Sequence, residues 1–347
     1  MASTSATTPD LFASVVVPVY NGADTLAACL AGLDCQTVPR GRYEVIIVDD
    51  GSTDDSAAIA ARSGARVIRR AHRGAGAARN AGIAAARGDL VLFTDADCVP
   101  APDWIEQLVA KFADPATAGA RGVYRTHQRG LIPRFVQLEY LDRYDRTLRQ
   151  PSIDFVDTYA AAYRRDVLVA AGGFDEALME AEDMDLSYRL ASRGYRMVFA
   201  PRAIVYHRHP GTLLGYLRRK ALYGYWRVPI YARYPSKMGG DSHTPVVLRW
   251  QMGLVAAMVG LAPIAILEAG LWWVWAGLAG AFCVSTLPFC IKALRRDAPV
   301  TPVVLPFLWA RALAIGAGLA LGAVRLAQAR VRGRVARRQQ FDSSVGK

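Results

Sequence analysis

The fold of this chain follows from the stretch Leu90-Val91-Leu92-Phe93-Thr94-Asp95-Ala96-Asp97. Its apolar residues predict a buried strand, and two carboxylates one residue apart follow that strand. Alternation along an extended backbone directs Asp95 and Asp97 to the same side, where like charges repel unless a cation lies between them. Hard divalent cations such as Mg2+ and Mn2+ prefer oxygen ligands of this kind. A polar turn after a core strand is the alternative explanation.

Strands alternate with helices before this stretch. Runs rich in β-branched residues, each followed by turn-forming residues, predict strands over 14–20, 44–50 and 65–68. The alternation indicates a mainly parallel, doubly wound α/β sheet, in which ligands bind beyond the carboxyl ends of the strands. Asp49 and Asp50 end the second strand, at the same edge as Asp95 and Asp97, and we expect Asp49 to be structural. No glycine-rich NAD or P-loop motif follows the first strand, which argues against those sites.

The pattern becomes mixed after about Pro102. It predicts helices over 103–112 and 135–148, and strands over 119–126, 158–163 and 195–204. A further helix begins near Ala181 and carries Glu182, Asp183 and Asp185 in its first turn. The helix dipole favours negative charge there, so stabilisation of the helix is one explanation for these acids.

Composition separates the last third of the chain from the rest. The chain has 347 residues, 52% of them hydrophobic, and the apolar excess lies after about Arg249. Basic residues give a net charge of +12 and cluster over 218–233 and 325–338, next to apolar runs. This arrangement favours anionic lipid over nucleic acid as the partner. The five cysteines form no Cys-x-x-Cys pair, which argues against a disulfide framework or zinc site.

Two apolar segments are long enough to cross a membrane. They are 250–267 and 269–291, and the basic residues that follow return the chain to the cytoplasm. A third segment, 302–324, contains Pro306 and Arg311. We expect it to be re-entrant or interfacial, with three spans as the alternative, because a third span would place the arginine-rich tail outside. The residues over 1–9 do not resemble a signal peptide, so we expect a cytoplasmic catalytic part.

Five motifs occur in a fixed order. They are Val17-Pro18-Val19-Tyr20-Asn21, Val48-Asp49-Asp50-Gly51-Ser52-Thr53-Asp54, Gly76-Ala77-Ala78-Arg79-Asn80-Ala81-Gly82, Thr94-Asp95-Ala96-Asp97, and Gly172-Gly173-Phe174-Asp175-Glu176 with Glu182-Asp183 and Asp185-Leu186-Ser187 after it. Over roughly residues 13–210 this order resembles family 2 glycosyltransferases of the GT-A fold. Within that family the chain is most similar to membrane-associated bacterial enzymes that build exopolysaccharide repeat units on a lipid carrier.

The resemblance implies an α/β fold class with a particular domain order. A Rossmann-like GT-A domain that binds a nucleotide-diphospho-sugar would be followed by C-terminal transmembrane helices. The expected domains are a disordered lead-in over 1–12, a catalytic domain over 13–210 with halves 13–100 and 101–210, a basic amphipathic interfacial segment over 211–248, transmembrane or re-entrant helices over 249–328, and a basic tail over 329–347. The location would be a bacterial-type inner membrane.

The resemblance also implies roles for matching residues. Pro18, Tyr20 and Asp50 would hold the uracil and ribose of the donor, with Asp50 accepting a hydrogen bond from the base edge. Arg79 would neutralise phosphate, and Asp95 would contribute to the nucleotide-sugar site.

The remaining roles concern the metal and the chemistry. Asp95 and Asp97 would hold Mn2+ or Mg2+ against the diphosphate, and His207 would complete the metal shell, a surface histidine being the alternative. Asp183 would be the general base.

These roles imply an inverting transferase that moves a sugar from a nucleotide-diphospho-sugar, expected to be a UDP-sugar, to a hydroxyl of a lipid-linked saccharide. The first alternative is a polyprenyl-phosphate glycosyltransferase, whose acceptor is already ionised and needs no base. The second is a nucleotidyltransferase, which would need a glycine-rich basic loop that Val19–Asp24 lacks. The expected partners are the donor, the lipid-linked acceptor and anionic lipid.

Overall fold

The structure is a computed structural model that describes residues 11–345, without the side chains of 269, 330 and 332–345. All but the last two residues of the lead-in predicted over 1–12 lie outside the described residues. The described chain divides into two compact units. One falls within Met1–His209 and includes Asp241–His243, and the other falls within Pro210–Gly240 and Thr244–Lys347.

The first unit alternates strands and helices. Its elements are β1 (Ala13–Val19), α1 (Ala23–Asp34), β2 (Tyr43–Asp49), α2 (Ser56–Arg62), β3 (Arg66–Arg69), α3 (Ala75–Ala85), β4 (Leu90–Phe93), β5 (Cys98–Pro100), α4 (Trp104–Val109), β6 (Thr117–Arg125), α5 (Leu131–Thr147), β7 (Ala161–Arg164), α6 (Arg165–Ala171), α7 (Glu182–Ser192) and β8 (Arg196–His207). These eight strands form one sheet in the order β3-β2-β1-β4-β7-β6-β8-β5.

The half of the sheet that contains β1 is parallel. β1 pairs with β2 and with β4, and β2 pairs with β3, all in parallel. The carboxyl ends of β1, β2 and β4 therefore open at one edge, as the alternation of strands and helices predicts.

The other half contains both parallel and antiparallel pairs, and most of it comes from residues after about Pro102, where the sequence pattern also becomes mixed. β7 is antiparallel to β4 and β6, while β8 is parallel to β6 and antiparallel to β5. The predicted strand over 158–163 begins instead with a 3-10 turn over Thr158–Ala160, and α6 and β5 were not predicted. β5 has only three residues, too few for an alternation pattern to be visible.

The core has one layer on each face of the sheet. Val15 and Val17 of β1 pack in one layer, and Val16 packs in the other, as alternation along a strand requires. Gly82 of α3 lies directly over Val16, because a Cβ at Gly82 would be 2.2 Å from Val16 Cγ1. Glycine therefore lets α3, which carries Arg79, lie close against the central strand.

The second unit is helical. It contains α8 (Leu213–Arg233), α9 (Val246–Leu267), α10 (Trp272–Arg296) and α11 (Thr301–Val345). Within the described residues, three helical segments could cross a membrane by length and composition. They are Val246–Leu267, Trp272–Arg296 and Ala298–Ala329, each with a mean hydropathy of 1.8. The segment 302–324, expected to be re-entrant or interfacial, lies within one continuous helix, α11, that begins at Thr301.

Glycines bring α8 and α11 into close contact. A Cβ at Gly318 would lie 1.9 Å from the Ala221 carbonyl oxygen, and one at Gly322 would lie 2.5 Å from that of Tyr225. The two glycines are four residues apart on α11 and therefore share one face, which allows two helix backbones to approach. Arg325 also donates a 2.8 Å hydrogen bond to the Tyr225 hydroxyl.

A polar chain links the three long helices. The Arg311 guanidinium of α11 donates a 2.9 Å hydrogen bond to Gln251 Oε1 of α9, and Gln251 Nε2 donates to the Ser285 hydroxyl of α10 at 3.2 Å. Arg311 and Gln251 are both buried. Burial with a polar partner is how a charged residue is accommodated in an apolar helix bundle.

Candidate active site

Two carboxylates and a thiol gather in the turn after β4. One ligand atom from each of Asp95, Asp97 and Cys98 lies within 4.8 Å of the others. β4 ends at Phe93, so the turn over 94–97, and not strand alternation, brings the two carboxylates together. The side chains of Asp95 and Asp97 are 31% and 51% exposed, so their oxygens are accessible.

Pairing of β5 with β8 adds a histidine to this cluster. Cys98 lies opposite His207 in the antiparallel register, and His207 Nε2 is 3.2 Å from Asp97 Oδ2. Burial, together with the charges of Asp95 and Asp97, raises the pKa of the Cys98 thiol. A neutral thiol is a poor ligand for a hard cation such as Mg2+ or Mn2+, whereas carboxylate oxygens suit one. Asp95 and Asp97 therefore offer oxygen ligands suited to a divalent cation, and the role of His207 as a third ligand stays a prediction.

Arg79 connects this turn to α7. Its Nη2 atom donates a 2.9 Å hydrogen bond to Asp95 Oδ1, and its Nη1 atom donates to Glu182 Oε1. The Arg79 side chain is only 6% exposed. Burial alone would lower the pKa of Arg79, but the charges of Asp95 and Glu182 outweigh it and raise the pKa above its ordinary value. Arg79 is therefore a buried cation between two carboxylates, and its predicted contact with phosphate stays a prediction.

Asp183 follows Glu182 in the first turn of α7. Its Oδ1 atom accepts a 2.7 Å hydrogen bond from the Met184 backbone N–H. Burial of the carboxyl group, followed by the negative charge of Glu182, raises the pKa of Asp183 well above its ordinary value. The N-cap residue Ala181 has φ +65°, a left-handed conformation that costs energy for a residue with a Cβ. A strained backbone thus immediately precedes the two acids.

The predicted nucleotide residues lie at the carboxyl ends of β1 and β2. Pro18 is half-buried in β1, opposite Val48 of β2. Tyr20 is 49% exposed, and its ring stacks on His72 with centroids 4.0 Å apart. Asp50 is buried and accepts backbone N–H hydrogen bonds from Gly74 at 2.7 Å and Arg73 at 3.2 Å. Asp50 therefore orders the loop that leads into α3.

Hydrogen bonds connect the loop after β1 to the loop after β2. Asn21, with φ +49°, accepts a 2.8 Å hydrogen bond from the Thr53 backbone N–H. The Ser52 hydroxyl accepts in return from the Asn21 N–H at 3.0 Å. Asp49 accepts from the Ser52 N–H at 2.9 Å, in keeping with the structural role expected for it.

The third and fifth motifs contact each other through Asn80. Its amide donates to the Phe174 carbonyl oxygen at 2.9 Å and accepts from the Phe174 N–H at 2.8 Å. Gly173, at φ +66°, allows this approach, because a Cβ there would lie 2.4 Å from Asn80 Oδ1. The helix that carries Arg79 is thereby fixed to the loop that leads to Asp183.

Sequence reasoning missed several contacts at this site. Glu182 is not a simple helix-terminal acid but the partner of Arg79, 103 residues away. His72, which the sequence left without a role, contacts both Tyr20 and Asp50. No local pattern marks either contact, since each joins segments that only the folded sheet brings together.

Comparisons with known proteins identify the family and the fold. Residues 14–170 match the sequence model described as Glycosyl transferase family 2. The chain is 31% identical over 319 residues to the pre-mycofactocin glycosyltransferase of Mycobacterium tuberculosis, covering 81% of this chain and 66% of that protein. It is 31% identical over 219 residues to the glycosyltransferase AglE of Haloferax volcanii, covering 60% of this chain and 70% of AglE.

A solved structure bears on the fold. The mannosyltransferase PcManGT from Pyrobaculum calidifontis, determined in complex with GDP-Man and Mn2+, superposes with a TM-score of 0.57 at 22% identity, covering 88% of this chain and 87% of that one. This likeness confirms the predicted GT-A fold. The sequence matches show that the chain is an enzyme of glycosyl transferase family 2 and belongs to that family.

Proposed function

We propose that the chain is an inverting, metal-dependent glycosyltransferase that moves a sugar from a nucleotide-diphospho-sugar, with uridine as the base, to a hydroxyl of a lipid-linked saccharide. The observation that carries the proposal is the series of charged contacts from Asp95 through Arg79 to Glu182. This series joins the carboxylate turn after β4 to the helix that bears Asp183. A site that handles a donor diphosphate and an acceptor hydroxyl together needs both parts next to each other.

The donor side is assigned to the carboxylate turn. Negative charge develops on the diphosphate as it leaves the sugar. A divalent cation, which Asp95, Asp97 and His207 would hold, would stabilise that charge. Arg79 keeps Asp95 in place through its hydrogen bond. Pro18 and Tyr20 line the side where the base and ribose bind.

The acceptor side is assigned to Asp183. The acceptor oxygen attacks C1 of the sugar from the face opposite the diphosphate, the new C1–O bond forms as the C1–O bond to phosphate breaks, and Asp183 takes the hydroxyl proton. A single displacement of this kind inverts the anomeric centre. The raised pKa of Asp183 supports the role, because a carboxylate with a higher proton affinity is a better base near neutral pH.

The membrane helices support a lipid-linked acceptor. We assign α9 and α10 as two spans with the catalytic domain, over residues 13–210, on the cytoplasmic side of a bacterial-type inner membrane. We assign α8 to the interfacial region near anionic lipid. We assign the segment 302–324 of α11, which contacts α8 through its glycines and α9 through Arg311, to a re-entrant or interfacial position next to the two spans. A reporter that works only in the cytoplasm should be active when it is fused after Lys347. If only a periplasmic reporter is active at that position, this topology is refuted.

Two variants test the chemistry. Asp183→Asn should abolish transfer and leave donor binding intact, whereas Asp97→Ala should lose metal-dependent donor binding as well as transfer. Asp24→Asn is the control, since Asp24 is an exposed acid in the first turn of α1. Turnover retained by either test variant would contradict its assigned role.

The same experiment addresses the polyprenyl-phosphate alternative. An ionised phosphate acceptor has no proton to lose, so a transferase of that kind would not depend on Asp183 as a base. Full loss of transfer in Asp183→Asn, with donor binding kept, therefore favours a hydroxyl acceptor.

A further inference from the structure

His72 makes two contacts at the predicted nucleotide site. Its ring stacks on the Tyr20 ring, with centroids 4.0 Å apart and planes inclined by 26°. Its Nδ1 atom lies 2.9 Å from Asp50 Oδ2 and 3.2 Å from the Asp50 carbonyl oxygen. Both neighbours of Nδ1 are acceptors, so Nδ1 carries the hydrogen.

A bound nucleobase would make the same two contacts. It would stack its flat ring on Tyr20 and direct a ring N–H at the Asp50 carboxylate. The imidazole of His72 is a flat heteroaromatic ring with an N–H in the same relation to these two residues. His72 therefore has the geometry of a nucleobase in what we call the base site, the space bounded by the Tyr20 ring and the Asp50 carboxylate.

The other partners of Asp50 are two backbone N–H groups and one largely buried side chain. The Asp50 side chain is 3% exposed. Beyond His72, it contacts the backbone N–H groups of Arg73 and Gly74 and the Arg70 side chain, which is 16% exposed. The His72 side chain is 45% exposed and is the partner that solvent reaches most easily. A base edge would reach the carboxylate where His72 now lies.

We propose that His72 occupies the base site in the empty protein and is displaced when a nucleotide binds. This inference rests on the proposed function, because it takes Tyr20 and Asp50 as the residues that hold the base. Nucleotide binding must then break the His72 contacts, so that the apparent affinity is lower than the intrinsic one. Removal of His72 should strengthen binding, which is the opposite of what loss of an ordinary binding residue does.

The test measures binding of UDP to the full chain in detergent with Mn2+, by calorimetry. His72→Ala should lower the Kd of UDP about three- to tenfold, the range expected for one lost competing hydrogen bond. His72→Phe keeps a ring against Tyr20 without the N–H and should give a smaller gain. Inorganic pyrophosphate, which has no base, should bind His72→Ala and the wild type equally.

A matched control exists within the same unit. His127 is an exposed histidine that stacks on Tyr206 with centroids 4.2 Å apart, and His127→Ala should leave UDP binding unchanged. If the wild type binds UDP and the Kd of His72→Ala is the same or higher, the role of His72 is refuted and the proposed function is not. Absence of metal-dependent nucleotide binding in both the wild type and His72→Ala overturns the proposed function as well.

Discussion

Replacing Arg79 by methionine should strongly destabilise the catalytic domain. The Arg79 side chain is 6% exposed, and its two partners, Glu182 and Asp95, are 9% and 31% exposed. Arg79→Met keeps most of the side-chain volume but leaves two carboxylates close together without their cation. Breaking a buried ion pair by removing one partner costs about 3–5 kcal/mol. For a domain of roughly 200 residues this corresponds to a fall in Tm of about 6–20 °C.

The assay is differential scanning calorimetry of the full chain in detergent, without metal or nucleotide. Arg87→Met is the matched control, because Arg87 forms a similar pair with Glu44 while its own side chain is 72% exposed. Solvent weakens such a surface pair, so its loss should lower the Tm far less. Adding Glu182→Gln to Arg79→Met should recover part of the lost stability, since one unpaired charge is removed. Equal melting temperatures for Arg79→Met and Arg87→Met would refute the account of Arg79 as a buried bridge.

Three further predictions follow from the same structure. Gly82→Ala should lower the free energy of unfolding by about 1–3 kcal/mol, because the new Cβ would overlap Val16. The control Gly41→Ala places its Cβ in open space and should cost much less. Equal denaturant midpoints for the two variants would contradict this contact. Transfer should fall as the pH drops through the raised pKa of Asp183, because the base must be deprotonated. Glu182→Gln removes a like charge and should move this acid limb of the kcat/KM profile to lower pH. An acid limb that Glu182→Gln leaves in place would count against Asp183 as the base. Gly318→Ala should lower the thermal stability of the helical unit, because the new Cβ would push α8 away from α11. Gly316→Ala, two residues away, places its Cβ in open space and should leave that stability unchanged. Similar effects of the two variants would refute the close contact at Gly318.

The parallel half of the sheet could be predicted because its signals are local. Each of β1, β2 and β4 is an apolar run that ends at a turn, and the acids after β2 and β4 lie at the carboxyl edge of these strands. The GT-A fold was predicted from the order of motifs along the chain and is confirmed by the superposition.

The rest of the site depends on contacts between distant segments. The three-residue strand β5 pairs Cys98 with His207, and nothing in its own sequence marks that pairing. The contacts of Glu182 with Arg79 and of His72 with Asp50 likewise join separate loops. By contrast, Gly318 and Gly322 have a spacing that predicts close packing against another helix in an apolar segment, although only the structure identifies that helix as α8.

A donor screen tests whether this chain is a metal-dependent transferase that uses a nucleotide sugar. The purified chain in detergent is incubated with a panel of nucleotide sugars and Mn2+, with and without EDTA, and release of free nucleoside diphosphate is followed. We expect slow release of UDP from a UDP-sugar. EDTA should abolish this release, and Asp97→Ala should not show it. Release that is unaffected by EDTA, or neither release nor metal-dependent nucleotide binding with any donor, would contradict the proposed function.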